Sequence, residues 1–253
     1  MSRPDIALQL YSVREDCRKD FKGVLEKVAE MGYEGVEFAG FYGWSADKLR
    51  DLLDDLGLKV AGAHISIEAL FGENFNKTVD FHRVLGNKYL IVPGLPIDWR
   101  NSRDSWLKTA KIFNELAEKL KTYGIRIGYH NHTVEFQRFN GETGWDLFFR
   151  NTVSEVIMQL DTGNAMRGGL SNNDIIDILR RYPGRAVTIH LKEYSSKDKN
   201  ALIGEGEVDW KNILKFCEKV GGTEWYIVEQ ESYKYPPLKC VEICLKNLLE
   251  ILK

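Results

Sequence analysis

A chain of 253 residues, 43% hydrophobic and 28% charged, suits one soluble domain of about 250 residues or two small ones. Thirty-five Lys and Arg against 37 Asp and Glu leave a formal net charge of −2, so no global basic field draws in nucleic acid. Cys17, Cys217, Cys240 and Cys244 lack CxxC or zinc-finger spacing and read as buried thiols in a reducing compartment. No apolar run approaches membrane-spanning length, so the expectation is a cytoplasmic protein without signal peptide or anchor.

In chain order, eight short β-rich runs stand out: "IALQLYS" (6–12), "GVEFA" (35–39), "KVAGAHIS" (59–66), "KYLIVPG" (88–94), "RIGYHNH" (126–132), "VIMQLDT" (156–162), "AVTIHLKE" (186–193) and "WYIVEQE" (225–231). Amphipathic stretches separate them. "DFKGVLEKVAEMG" sets Phe21, Val24, Leu25, Val28 and Ala29 on one face, and "SADKLRDLLDDLG" opens with Ser45 as an N-cap. Gly32, Gly57, Gly124, Gly184 and Gly221 stand where helices should stop, and the weakest helical signals are the segment before Gly86 and "GWDLFFRN". Eight βα units without a linker predict a single-domain (β/α)8 TIM barrel over residues 1–253, with a doubly wound open sheet as the fallback.

Such a barrel carries its chemistry at the C-terminal ends of the strands, and here those ends are polar. They offer Gln9 and Tyr11, Glu37, His64, then His130, Asn131 and His132, Asp161, His190 and Lys192, and finally Glu229 and Glu231. Strand alternation places His190 with Lys192, Gln159 with Asp161, Glu229 with Glu231, and His130 with His132 on inward faces. Carboxylates and imidazoles converging on one mouth need a compensating charge. A divalent cation supplies it, and this ligand mixture suits Mn, Mg, Co or Zn rather than a structural zinc site.

The motifs "LQLYSVRED", "GYEGVEFAG", "YHNHTVEF", "LDTGNA", "HLKEY", "GEGEVDW" and "VEQE", in this order, resemble the xylose isomerase-like TIM barrels of the sugar phosphate isomerase/epimerase family. That resemblance implies a four-ligand metal centre of two glutamates, one aspartate and one histidine. It maps to Asp161, His190 and Glu229; the fourth ligand is one of Glu135, His130 and His132, with Glu135 chosen as the nearest glutamate, because His130 stands where ketose 3-epimerases carry a glutamate on the fifth strand. A second departure is Asn164, where those epimerases have a histidine.

The leading expectation is a metal-dependent isomerase or epimerase that enolises a ketose, keto-polyol or related sugar, with or without a phosphate. Glu229 and Glu135 would exchange the proton, with His130 or His132 as alternative acid/base groups, while Gln9, Glu37, His64 and Lys192 bind substrate. Expulsion of a β-substituent from the same enediolate would instead make a dehydratase or lyase on a keto-inositol or 3-keto-glycoside. An endonuclease IV-like nuclease is disfavoured by the charge and by only five histidines. "LIGEGEVDW" shows no P-loop lysine and two acidic residues, so its glycines shape a loop that ends at Asp209 as an N-cap. The aromatics of "AGFYGWS" (39–45) read as a substrate lid or as a contact in a homo-oligomer.

Overall fold

The computed structural model describes residues 3–253. Met1 and Ser2, part of the N-terminal stretch searched for a signal peptide, lie outside the described residues. Eight parallel strands form the wall of the molecule: β1 Asp5–Gln9, β2 Gly35–Phe38, β3 Lys59–His64, β4 Tyr89–Val92, β5 Arg126–His130, β6 Ile157–Gln159, β7 Thr188–Leu191 and β8 Trp225–Val228. Their order is β6-β5-β4-β3-β2-β1-β8-β7, and a parallel bridge between Asp161 and His190 joins the two ends into a barrel. At this seam the His190 amide donates to the Leu160 carbonyl at 2.9 Å.

Every strand ends before its predicted run does, and at two of them a polar mouth residue turns the chain. Gln9 Oε1 accepts from the Tyr11 amide at 3.0 Å and starts a 3-10 turn, Leu10–Val13, where a strand to residue 12 is predicted. Asp161 likewise caps the helix Thr162–Arg167. Both weak helical signals are real helices, Asn74–Leu85 and Gly144–Phe149. Gly32 and Gly57 cap their helices at φ 97° and 68°, as predicted. The later stop falls at Gly222 rather than Gly221, because a π-type turn over Cys217–Gly221 takes up one more residue. Ser45 holds the N-cap position but its side chain makes no capping bond, whereas Asp209 accepts from the Asn212 amide.

Two cores follow from the strand alternation. Outward residues such as Leu8, Val36, Phe38, Leu90, Tyr129, Met158 and Leu191 pack under the helices. Inward residues Ala7, Ala61, Tyr89, Ile91, Ile157, Trp225 and Ile227 plug the lower half of the barrel. Gly128 faces this plug, where an added Cβ would stand 2.5 Å from Ile91 Cδ1 and 2.8 Å from Ile157 Cβ. Complete burial of each large aliphatic contributes about 1.5–3 kcal/mol, so the plug makes a rigid floor for whatever sits above it. Among the described residues no helix is long and apolar enough to cross a membrane.

Candidate metal and substrate site

Directly above the plug the inward residues become polar, and Glu37 is the hub of that layer. Its carboxylate is fully buried and accepts from Gln9 Nε2 at 2.6 Å, Gln159 Nε2 at 2.7 Å and His190 Nε2 at 2.6 Å, with His64 Nε2 3.2 Å away. Burial alone would raise its pKa, but His64 and His190 outweigh that and hold it well below the usual carboxylate range. Gly62 makes room for it: a Cβ there would lie 2.9 Å from Glu37 Oε1. Gln9 and Glu37, expected to bind substrate, are thus spent on orienting imidazoles beneath the mouth.

His190 connects this layer to the next. While Nε2 faces Glu37, Nδ1 lies 3.0 Å from Glu229 Oε2 and 3.9 Å from Asp161 Oδ2. Burial opposes its charge, yet Glu37 and Glu229 raise its pKa to about 10. His130 is equally buried but has no carboxylate of its own, and its Nδ1 faces Gln159 Oε1 at 3.1 Å, so burial drives its pKa well down. It is a neutral imidazole with Nε2 left free.

His130, Asp161, His190 and Glu229 each present one donor atom, and these four atoms lie within 4.8 Å of one another. The set fits a divalent ion for three reasons. Two imidazoles and two carboxylates are ordinary oxygen and nitrogen donors for such ions. The Glu37 carboxylate on His190 Nε2 fixes the tautomer that leaves Nδ1 for a metal, a common supporting contact in metal sites. Asp161 Oδ2 is buried and lacks a hydrogen-bond partner, although Lys192 Nζ lies 3.1 Å away, while Oδ1 is bound by the Asn164 amide at 2.6 Å. Burial is the main reason the Asp161 pKa rises to about 6, and a bound cation would reverse that cost.

Glu135 stands apart from this quartet. It lies in a 3-10 turn past β5, and its two oxygens accept from the Tyr129 hydroxyl at 2.7 Å and from the His132 amide at 2.8 Å. Tyr129 points outward from β5 into the helix layer, so its hydroxyl holds the Glu135 carboxylate away from the donor cluster. Glu135 is not among the four residues whose donor atoms converge, whereas His130, expected as an acid/base group, is.

Over the quartet opens a cavity of about 470 Å³ lined by Tyr11, His64, His130, His132, Glu229 and Glu231, with Ser66 and Gly94 on its rim. The volume lies in the range of small-molecule sites. His64 stacks on His190 with ring centroids 5.3 Å apart. His132 is exposed at the mouth, and partial enclosure of its ring together with the Lys192 charge lowers its pKa, with Glu135 opposing. Phe41, Tyr42 and Trp44 do not cover the mouth; they pack on Phe21, Phe38 and Phe81.

Three further residues position this site: Asn131 reads in the sequence as a strand-end polar residue, whereas nothing there singles out Gly163 or Glu193. Asn131 clamps the Asp161 backbone, accepting from its amide at 2.8 Å and donating to its carbonyl. Gly163 lets the chain after β7 pass, since a Cβ there would meet Lys192 Cγ at 2.8 Å. Glu193 points away from the mouth and accepts from the amides of Tyr194, Gly204 and Val208 and from the Trp210 indole, pinning the "GEGEVDW" loop.

Comparison with known proteins agrees with this architecture. The family model described as xylose isomerase-like TIM barrel matches residues 25–244. A crystal structure of a sugar phosphate isomerase/epimerase from Parabacteroides distasonis is 26% identical, with a TM-score of 0.82 over 100% of this chain and 96% of its own. An inosose dehydratase from Lacticaseibacillus casei is 25% identical, over 84% of this chain and 82% of its own length. The probable 3-DHS dehydratase AsbF of Bacillus anthracis shares the fold at 14% identity, TM-score 0.71, over 97% of this chain and 98% of its own. With the barrel, the polar mouth and this match in hand, the chain belongs to the xylose isomerase-like TIM barrel family.

Proposed function

We propose that this chain is a divalent-metal-dependent dehydratase acting on a cyclic polyhydroxy ketone of the keto-inositol class. The observation that carries the reading is the buried quartet His130, Asp161, His190 and Glu229 under a small-molecule cavity, with Glu135 tied to Tyr129 and His132. The similarity to an inosose dehydratase supports the substrate class. His130, Asp161, His190 and Glu229 would hold a divalent ion, which when bound would supply Lewis-acid polarisation of the substrate carbonyl and so make the neighbouring C–H more acidic. His132, whose pKa is lowered chiefly by partial enclosure of its ring, takes that proton as general base, and the imidazolium so formed returns it to the departing β-hydroxyl, which leaves as water. Glu37 and Gln159 keep His190, His64 and His130 in their tautomers, and the buried floor excludes water from below.

A two-carboxylate epimerisation using Glu229 and Glu135 is not supported by the position of Glu135. A second reading, epimerisation through His132 and Glu231, is favoured by their placement: both line the cavity, and they follow β5 and β8, which stand nearly across the ring from each other. Incubation with a keto-inositol after metal stripping and Mn²⁺ addition tests the proposal. Rising enone absorbance that EDTA abolishes is expected, whereas an epimer formed without absorbance change sustains the second reading and overturns the first.

A further inference from the structure

Lys192 does not reach out to the mouth as a rim lysine would. It leaves β7 toward the barrel axis, is 4% exposed, and places Nζ 3.1 Å from Asp161 Oδ2, 2.8 Å from Glu229 Oε2 and 2.5 Å from Glu231 Oε2. Two of these oxygens belong to the donor quartet, and Glu229 Oε2 is the same atom that faces His190 Nδ1. The fold makes deliberate room for this pose: Gly163 of "DTGN" lies where any side chain would strike Lys192 Cγ, and the Thr162 hydroxyl bonds the Lys192 backbone on both sides, at 2.7 Å to its carbonyl and 3.1 Å from its amide.

We propose that Lys192 is a built-in counter-ion of the metal site: its ammonium neutralises Asp161 and Glu229 when no ion is bound, competes with a divalent ion for those oxygens, and is left on Glu231 alone when the ion enters. The inference rests on the metal reading of the quartet above. Two buried carboxylates, Asp161 after β6 and Glu229 after β8, cannot stay ionised side by side without a cation, and removing one partner of such a set leaves an uncompensated buried charge. An ammonium within 3.1 Å of both oxygens and a divalent ion bound to the same oxygens repel each other strongly, so one must yield. Glu231 is the partner able to keep it. Its side chain is 35% exposed and lines the cavity, so an ammonium left on it points at substrate rather than at the ligands. Lys192 thus becomes a substrate-facing cation only in the loaded site, which couples metal loading to substrate capture.

The test is calorimetric titration of EDTA-stripped protein with Mn²⁺, paired with thermal melts with and without the ion, on wild type, Lys192→Met and Glu231→Gln. Lys192→Met is expected to bind Mn²⁺ at least about tenfold more tightly than wild type, and to gain more in Tm on adding the ion. Glu231→Gln, which keeps the ammonium but removes its second seat, is expected to bind Mn²⁺ several-fold more weakly and serves if Lys192→Met fails to fold. Equal or weaker Mn²⁺ binding by Lys192→Met, or unchanged binding by Glu231→Gln, overturns the counter-ion role while leaving the metal reading intact. Absence of Mn²⁺ binding in wild type and both variants overturns the two together.

Discussion

The two ends of the barrel each carry a cavity of similar size, and their chemistry differs completely. The N-terminal cavity, about 410 Å³, is bordered by Arg50, Lys59, Lys88, Tyr89, Glu224 and Trp225. Several of its polar groups are paired locally and near the surface, Arg50 with Asp54, Lys59 with Asp5, and the Tyr89 hydroxyl with Glu224 at 2.5 Å. At the C-terminal mouth, Asp161, His190, Lys192 and Glu229 are buried, share partners and converge on one point. Exposed pairs of the first kind are worth about 0–1 kcal/mol each and leave nothing for a ligand to satisfy. The second arrangement stores an electrostatic demand that an ion and a substrate can meet. A cavity therefore identifies a site here only when it is joined to buried, underpaired charge.

The strongest way to break this contrast is to remove a donor at the mouth. Asp161→Asn is expected to lower kcat/KM by about 1000-fold in steady-state assays with the keto-inositol, with only a small change in Tm, since Lys192 keeps Glu229 and Glu231 as partners. The matching change in the plug, Ile91→Ala, is expected to do the opposite. It should cost about 2–5 kcal/mol of stability in denaturant unfolding while kcat/KM of the folded enzyme stays within about twofold.

Acid sensitivity sharpens the contrast from a third place. His82 is buried beside Phe41 and Phe81, with Asn87 Nδ2 3.0 Å from its Nδ1, and burial lowers its pKa from 6.5 to about 4. Between those values the unfolded chain binds a proton that the folded one refuses. The contribution is therefore complete above about pH 6.5 and is lost as pH falls toward 4, a change on the order of 3 kcal/mol. Urea midpoints for wild type and His82→Gln across this window check it: the wild type should fall more steeply. Next in size, Glu37→Gln should weaken Mn²⁺ binding about 10–100-fold through the orientation of His190. At the small end, Arg50→Ala at the lower cavity should change stability by less than about 1 kcal/mol and leave turnover unchanged.

Much of this was legible in the primary structure, and the limits were local. Period-two alternation in "VTIHLKE" and "VIMQLDT" put His190 and Gln159 inside the barrel, and they are there. Eight βα units and their glycine stops were readable because strand and helix propensities agree with the burial pattern along the whole chain. Alternation loses its force once the strand ends. The direction of Glu135 depends on Tyr129, six residues earlier and facing the other side of the wall, and no spacing rule reports that the tyrosine hydroxyl seizes the carboxylate. Lys192 was readable as an inward cation, but its contact with Asp161 depends on Gly163 being bare of a side chain, a tertiary clearance. Glu37 and Gln9 looked like substrate contacts because strand-end polar residues are the default for that role in this architecture; in the fold Gln9 bonds Glu37 and the Tyr11 amide, and Glu37 faces the His190 imidazole.

The central claim is that His130, not Glu135, completes a four-residue ion site at the mouth. Anomalous diffraction at the manganese edge from crystals soaked in Mn²⁺ tests it directly. The account predicts one strong peak in contact with His130, Asp161, His190 and Glu229, with Lys192 Nζ withdrawn from Asp161 and Glu229 and kept on Glu231. A peak coordinated by Glu135, or no peak at the mouth, would contradict it.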